Sequence, residues 1–160
     1  MRKQTIIFIL SLILSSISTT LFAQVSIEKF DNGVFTEDSV LNSFILKWLG
    51  KPYKLGGKTE MGIDCSQFNK RLYLDVYKIE LQNVCYKQWE QTNRIKRDSL
   101  QIGDLLFFKS KQSPSGWHCG VYIGNTYFVH SANRFEGVKI SSIKEPKYSL
   151  VYRGAGRIRY

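Results

Sequence analysis

Apolar residues recur at helical spacing in the first half of this chain and in short, turn-bounded runs in the second, and that division constrains the fold more than any other feature. From Ser39 onward Val40, Phe44, Ile45, Trp48 and Leu49 follow at three- and four-residue steps, with Thr36 or Asp38 as a cap and Gly50 and Pro52 as stops. A glycine-rich loop, Gly56-Gly57 to Gly62, precedes a second helical pattern that Asp64-Cys65-Ser66 opens, with Phe68, Leu72, Val76 and Ile79 on one side. A charged, amide-rich stretch runs from Gln82 to Ser99. Beyond it the pattern predicts strands at Asp104 to Phe108, His118 to Ile123, Thr126 to Ser131, Val138 to Ser141 and about Val151 to Arg159, with Gly124-Asn125 as the hairpin between the second and third. Helices first and antiparallel strands afterwards is the α+β arrangement.

With 160 residues, 43% of them hydrophobic, the chain can bury one core but hardly two. Its first residues have the layout of an export signal: Arg2 and Lys3, an apolar run from Ile6 to about Leu14, then a polar stretch ending in Leu21-Phe22-Ala23. The apolar run is well short of the roughly 18 to 20 residues of a spanning helix. The expectation is therefore a signal peptide over 1–23, an arm or linker over 24–38 and one domain over 39–160. No cysteine follows the cleavage region to accept lipid, so the expected product has no stable membrane anchor and works in the periplasm or outside the cell.

Formal charge is +10, and loss of a signal that carries Arg2 and Lys3 but no acid would leave +8. Such a balance favours anionic partners. Nucleic acid is not the expected one, because no RNP, zinc-finger or helix-turn-helix signature is present and export argues against it. Cell wall polymers rich in carboxylates suit a basic exported protein better.

Three cysteines, Cys65, Cys85 and Cys119, leave an odd thiol in an oxidising compartment. A thiol attacks as the thiolate, which its free pKa of about 8.5 makes scarce at neutral pH. A helix N-terminus favours the anion through its unpaired N–H groups, and of the three cysteines only Cys65 is expected at such a place. A base is also needed, and the chain has only two histidines, His118 and His130, on adjacent predicted strands. A strict two-residue turn that pairs Ile123 with Thr126 would send them to opposite faces of the sheet. A three-residue loop or a bulge, with Gly124 at positive φ, is therefore expected. On one face, His118 would take the thiol proton and His130 would hold the His118 ring in the useful tautomer. The Cys65 backbone N–H is placed to stabilise an oxyanion. Two histidines on strands without clustered carboxylates make a poor zinc site, so neither metal nor organic cofactor is expected.

The run Gly50-Lys51-Pro52-Tyr53-Lys54-Leu55-Gly56-Gly57, then Gly62-Ile63-Asp64-Cys65-Ser66, Leu100 to Phe108, His118-Cys119-Gly120-Val121-Tyr122-Ile123-Gly124 and Phe128-Val129-His130 resembles the NlpC/P60 peptidases, in order and in spacing, from about Val40 to the C-terminus. The resemblance implies a papain-like α+β fold, with N-terminal helices packed on a C-terminal antiparallel sheet and a Cys65-His118-His130 triad. It implies hydrolysis of peptidoglycan stem peptides, usually between D-glutamate and the following diamino acid, through a thioester acyl-enzyme. By the same carry-over Tyr53 lies against the nucleophile, and Asp64 and Ser66 bind substrate, although Asp64 can equally be a helix cap.

The chain also departs from the family pattern. Gln67 stands where the family has glycine and could narrow the cleft; Cys119 and Cys85 replace common valine and serine, which leaves a Cys85–Cys119 disulfide open. Two other functions stay in view: a non-catalytic peptidoglycan-binding protein on the same fold, and a related papain-like amidase or acyltransferase. Oligomeric state is not legible.

Overall fold

The computed structural model describes residues 36–158, so the expected signal peptide and nearly all of the arm lie outside the described residues, as does Arg159. Helix α1, Ser39–Trp48, starts where the carboxylate of Asp38 accepts hydrogen bonds from the backbone N–H groups of Val40 and Leu41 at 2.9 and 3.0 Å. It buries Leu41, Phe44, Ile45 and Trp48. Val40, expected on the apolar side, is exposed instead. The rings of Phe44 and Trp48 meet Phe68 of the next helix at centroid separations of 5.8 and 6.1 Å.

The glycine-rich loop holds a two-stranded ribbon, β1 (Lys58–Thr59) and β2 (Gly62–Ile63), which its composition did not announce. Helix α2, Cys65–Leu72, follows and widens into a π-helical turn over Tyr73–Tyr77, which Lys78 ends at φ 61°. That extra residue per turn breaks the expected stripe: Tyr73 takes the core position and Val76 and Ile79 are only half-buried.

Short helix α3 (Cys85–Glu90) and strand β3 (Thr92–Ile95) occupy the stretch read as merely charged and amide-rich. Five further strands lie close to the expected places: β4 (Leu105–Lys109), β5 (Trp117–Gly124), β6 (Tyr127–Ser131), β7 (Val138–Ser142) and β8 (Tyr152–Ile158). A one-turn helix, α4 (Pro146–Ser149), precedes the last. All neighbours in the sheet are antiparallel, in the order β3-β8-β4-β5-β6-β7. Helices α2 and α3 pack against β5. A second cluster joins Leu106, Phe108, Phe128, Ile143, Tyr148 and Ala155. The α+β architecture, helices first and an antiparallel sheet after, is the one expected.

At the start of β4, buried Asp104 receives Arg157 of β8 through Nε at 2.8 Å and Nη2 at 2.9 Å. Arg157 thus ties two strands together.

Candidate active site

Asp64 makes the local structure on which the site depends. Its Oδ1 accepts from Gln67 N at 2.8 Å and caps α2, while its Oδ2 accepts from Gly56 N at 2.9 Å and fastens the glycine-rich loop to the helix start. Ser66 Oγ lies 2.8 Å from Asp64 Oδ1 and 2.9 Å from the carbonyl oxygen of Asn83. Ser131 Oγ of β6 donates to Ile63 O at 2.7 Å, which locks this corner to the sheet. Cys65 is the first residue of the helix so anchored.

Cys65 and His118 line one cleft of about 300 Å³, together with Tyr53, Ser110, Gln112, Ser113, Ala132, Asn133, Arg134 and Phe135. His118 Nε2 lies 2.7 Å from His130 Nδ1. His130 is fully buried, and its Nε2 lies 3.2 Å from both Ser141 Oγ and Tyr148 OH. The two rings share a face because the hairpin is irregular: Tyr122 pairs with Phe128 and Gly124 with Tyr127, so Ile123 is an extra residue in β5. Gly124 has φ 97°, as expected for such a bulge, but the tight turn is Asn125-Thr126, one residue later than expected, both at positive φ. Gly120 matters for the same geometry. A Cβ there would stand 2.7 Å from Phe128 Cδ2 and 3.0 Å from His130 Cβ.

Burial dominates the electrostatics. It pushes the Cys65 thiol up to about 12, with the Asp64 carboxylate adding to the effect and backbone N–H groups of Cys119, Ser66 and Cys65 opposing it. Burial also pushes His118 down to about 4, although one ring edge faces the cleft. His130 goes well below 6.5, again through burial first, then through His118, Lys139 and Lys147. Tyr53 is raised to about 12 by burial, Cys65 and Asp64. The resting pair is thus a neutral thiol and a neutral imidazole.

The cleft brings together four of the residues singled out in the sequence, counting His130 through its bond to His118. Asp64 and Ser66 lie beneath it with their polar atoms taken up internally. Gln67 does not close the cleft. Its Nε2 donates to Asn83 O at 2.9 Å, so the side chain turns to the segment before α3. Cys85 also opens a helix, contrary to expectation, but it forms a disulfide with Cys119 and Cys65 alone is a free thiol.

Ser141 and Tyr148, the far partners of His130, were not anticipated. Lys139 pairs with His130, so alternation along β7 could have brought Ser141 to its face once the register was known. Nothing marked Tyr148 in advance.

The sequence profile of the NlpC/P60 family matches residues 50–157. The chain belongs to the NlpC/P60 family. It is 38% identical over 143 residues to the Escherichia coli murein DD-endopeptidase MepS/murein LD-carboxypeptidase, covering 88% of this chain and 74% of that one. It is 38% identical over 121 residues to a probable endopeptidase NlpC homolog of Haemophilus influenzae, covering 76% and 63%. Among solved structures, an NlpC/P60 family protein from Bacillus cereus superposes with TM-score 0.68 at 29% identity, over 78% of this chain and 41% of that one. The NlpC/P60 domain of the peptidoglycan hydrolase SagA gives 0.63 at 27% identity, over 77% and 100%. The fold is that of an NlpC/P60 domain, with Cys65 and His118 lining its cleft and His130 buried behind His118.

Proposed function

We propose that this chain is an exported cysteine peptidase that hydrolyses stem peptides of peptidoglycan, with Cys65 as nucleophile, His118 as general base and His130 as the residue that positions His118. The observation that carries the reading is the Cys65 thiol at a helix start on the same cleft as a histidine whose far nitrogen is bonded to a second, buried histidine. Membership of a peptidase family and relatives named murein endopeptidases supply the reaction class.

The chemistry follows from the tautomers. With the His130 proton on Nε2, towards Ser141 and Tyr148, its Nδ1 accepts from His118 Nε2. His118 Nδ1 is then the bare nitrogen that takes the Cys65 proton. The thiolate attacks the scissile carbonyl, and the oxyanion meets the N–H of Cys65 at the helix start. His118 returns the proton to the departing amine, which leaves a thioester that water hydrolyses by the same base. Tyr53 borders the attack site. An amino group of the substrate would reach Asp64 or Ser66 only by displacing part of their internal bonding, so we assign them a binding role through the loop they hold.

For the bond cleaved, relatives named DD-endopeptidases, MepS at 38% and MepH at 32% identity, favour a cross-link between two D-centres. The D-glutamyl–diamino acid bond is the second reading, carried by the motif resemblance. Export rests on the N-terminal charge and apolar pattern. Purified peptidoglycan is digested with the protein and the products are identified by mass spectrometry. Cys65→Ala and His118→Ala are expected to abolish release with the circular dichroism spectrum retained. Full release by either variant overturns the assignment, and the masses of the products decide between the two bonds.

A further inference from the structure

We propose that the Cys85–Cys119 disulfide is an internal electrophile for Cys65, and that exchange between them gives a Cys65–Cys85 disulfide and a free Cys119 thiol, switching the nucleophile off reversibly. The exchange stands on sulfur geometry alone, whereas its consequence for activity rests on the peptidase reading of Cys65.

Cys65 Sγ lies 3.5 Å from Cys85 Sγ, which is van der Waals contact between sulfurs, and all three sulfurs lie within 4.8 Å of one another. Displacement at sulfur runs in line with the bond that breaks, and with the three sulfurs this close together Cys65 stands to the side of the disulfide, so a side-chain rotation of Cys65 or Cys85 precedes attack. The disulfide is Cys85–Cys119, and both residues are buried, at 3% and 0% exposure, so Cys65 is the thiol placed to reach it. In the exchange the Cys65 thiolate attacks Cys85 Sγ, a Cys65–Cys85 bond forms, and the Cys85–Cys119 bond breaks. The electron pair leaves on Cys119 sulfur, which is protonated in turn while His118 gives up the Cys65 proton to solvent in the cleft, so the proton count is unchanged. One disulfide is lost and one is made, so neither oxidant nor reductant is consumed.

The leaving side is furnished. Gln88 Oε1 lies 3.6 Å from Cys119 Sγ, an acceptor for a thiol that the intact disulfide does not have. Gln88 is fully buried and fixed, its Nε2 donating to Ser66 O and Gln82 O at 2.8 Å each. The same three sulfurs in reduced form would suit a thiophilic cation, but with two of them joined only one thiol remains to ligate, and exchange is the chemistry open to them.

Two consequences follow. Burial keeps Cys65 protonated at rest, so exchange is slow and quickens with pH. After exchange the disulfide includes a residue that borders the cleft, where small external thiols reach it and restore the nucleophile. The parked state therefore protects the catalytic sulfur from further oxidation.

The experiment maps thiols in the full chain. Protein held at about pH 7 and about pH 9 without reductant is quenched in acidic denaturant, trapped with a maleimide and digested without reduction. The expected result is a maleimide divided between Cys65 and Cys119, with a Cys65–Cys85 peptide and an initial rate that rises roughly tenfold per pH unit. The Cys65→Ser variant should take up no maleimide. Label on Cys65 alone after prolonged incubation overturns the proposal. So does failure of folded Cys119→Ser protein to form a Cys65–Cys85 disulfide on mild oxidation. Release from peptidoglycan by untrapped samples of the same incubation should fall in proportion to the fraction mapped with Cys119 free and return with dithiothreitol; unchanged release from samples mapped with Cys119 free overturns the switch. Absence of release even from untreated protein whose peptide map shows Cys65 as the free thiol is instead a failure of the peptidase reading.

Discussion

His118 and His130 are neutral in the folded protein because burial lowers both below the ordinary histidine range, His118 to about 4. In the unfolded chain each binds a proton near pH 6.5. The unfolded state therefore binds more protons below that pH, and the stability present above it is lost as pH falls from about 6.5 towards 4. For His118 the loss is at most about 3 kcal/mol, reduced by water at its cleft edge. Urea midpoints at a series of pH values should decline across that window, and more shallowly in His130→Asn. The same residue carries a kinetic expectation. With His130 replaced by alanine, nothing holds the His118 tautomer, and turnover should drop by about 10²- to 10⁴-fold with KM nearly unchanged, as initial rates on a defined muropeptide would measure. Cys65 as the odd thiol and the histidines as the only bases were legible because chemistry of this kind needs rare residue types. Their bonds to Ser141 and Tyr148 were not, since those depend on strand register and on a one-turn helix.

At the scale of elements, the β5–β6 hairpin decides whether two histidines twelve residues apart can meet. Parity arithmetic requires an irregularity, and the extra residue Ile123 beside Gly124 provides it. Which two residues make the turn depends on small differences between neighbouring glycine, asparagine and threonine, and this the sequence left one position away. Gly124 sits at φ 97°, where a Cβ is strained. Gly124→Ala should cost about 1 kcal/mol or more in urea unfolding. Activity should fall further than stability if the bulge shifts, because a slip turns His118 and His130 to different faces. Helix α3 and strand β3 escaped detection for a different reason. Thr92-Asn93-Arg94-Ile95 is an edge strand whose polar side chains carry no alternation, and its place comes from pairing with β8.

At the scale of the molecule, the sheet is closed by contacts between segments far apart in the chain. Asp104 is 2% exposed, and the guanidinium of Arg157 is the cation that compensates it across 53 positions. Arg157→Ala should cost about 1.5 to 3 kcal/mol in chemical denaturation, because the buried carboxylate then keeps the N–H of Gln101 but loses its charged partner. A loss below about 1 kcal/mol would show the pair to be no more than a surface bridge. The disulfide belongs to this scale as well: it joins residues 34 positions apart, so reduction should lower stability by roughly 3 to 4 kcal/mol, read as a shift in the urea midpoint with dithiothreitol.

Local rules, the periods of apolar residues, the cap at Asp64, the scarcity of histidine and the motifs around Cys65, were enough to determine the α+β class and the family, and to single out Cys65. These depend on neighbours in the chain, where spacing is geometry. Tertiary structure decided what neighbours in space do. It turned Gln67 towards Asn83 and away from the cleft, joined Cys85 to Cys119 and set that disulfide against Cys65. Side-chain direction and sulfur pairing follow from packing, and packing is a property of the whole chain at once.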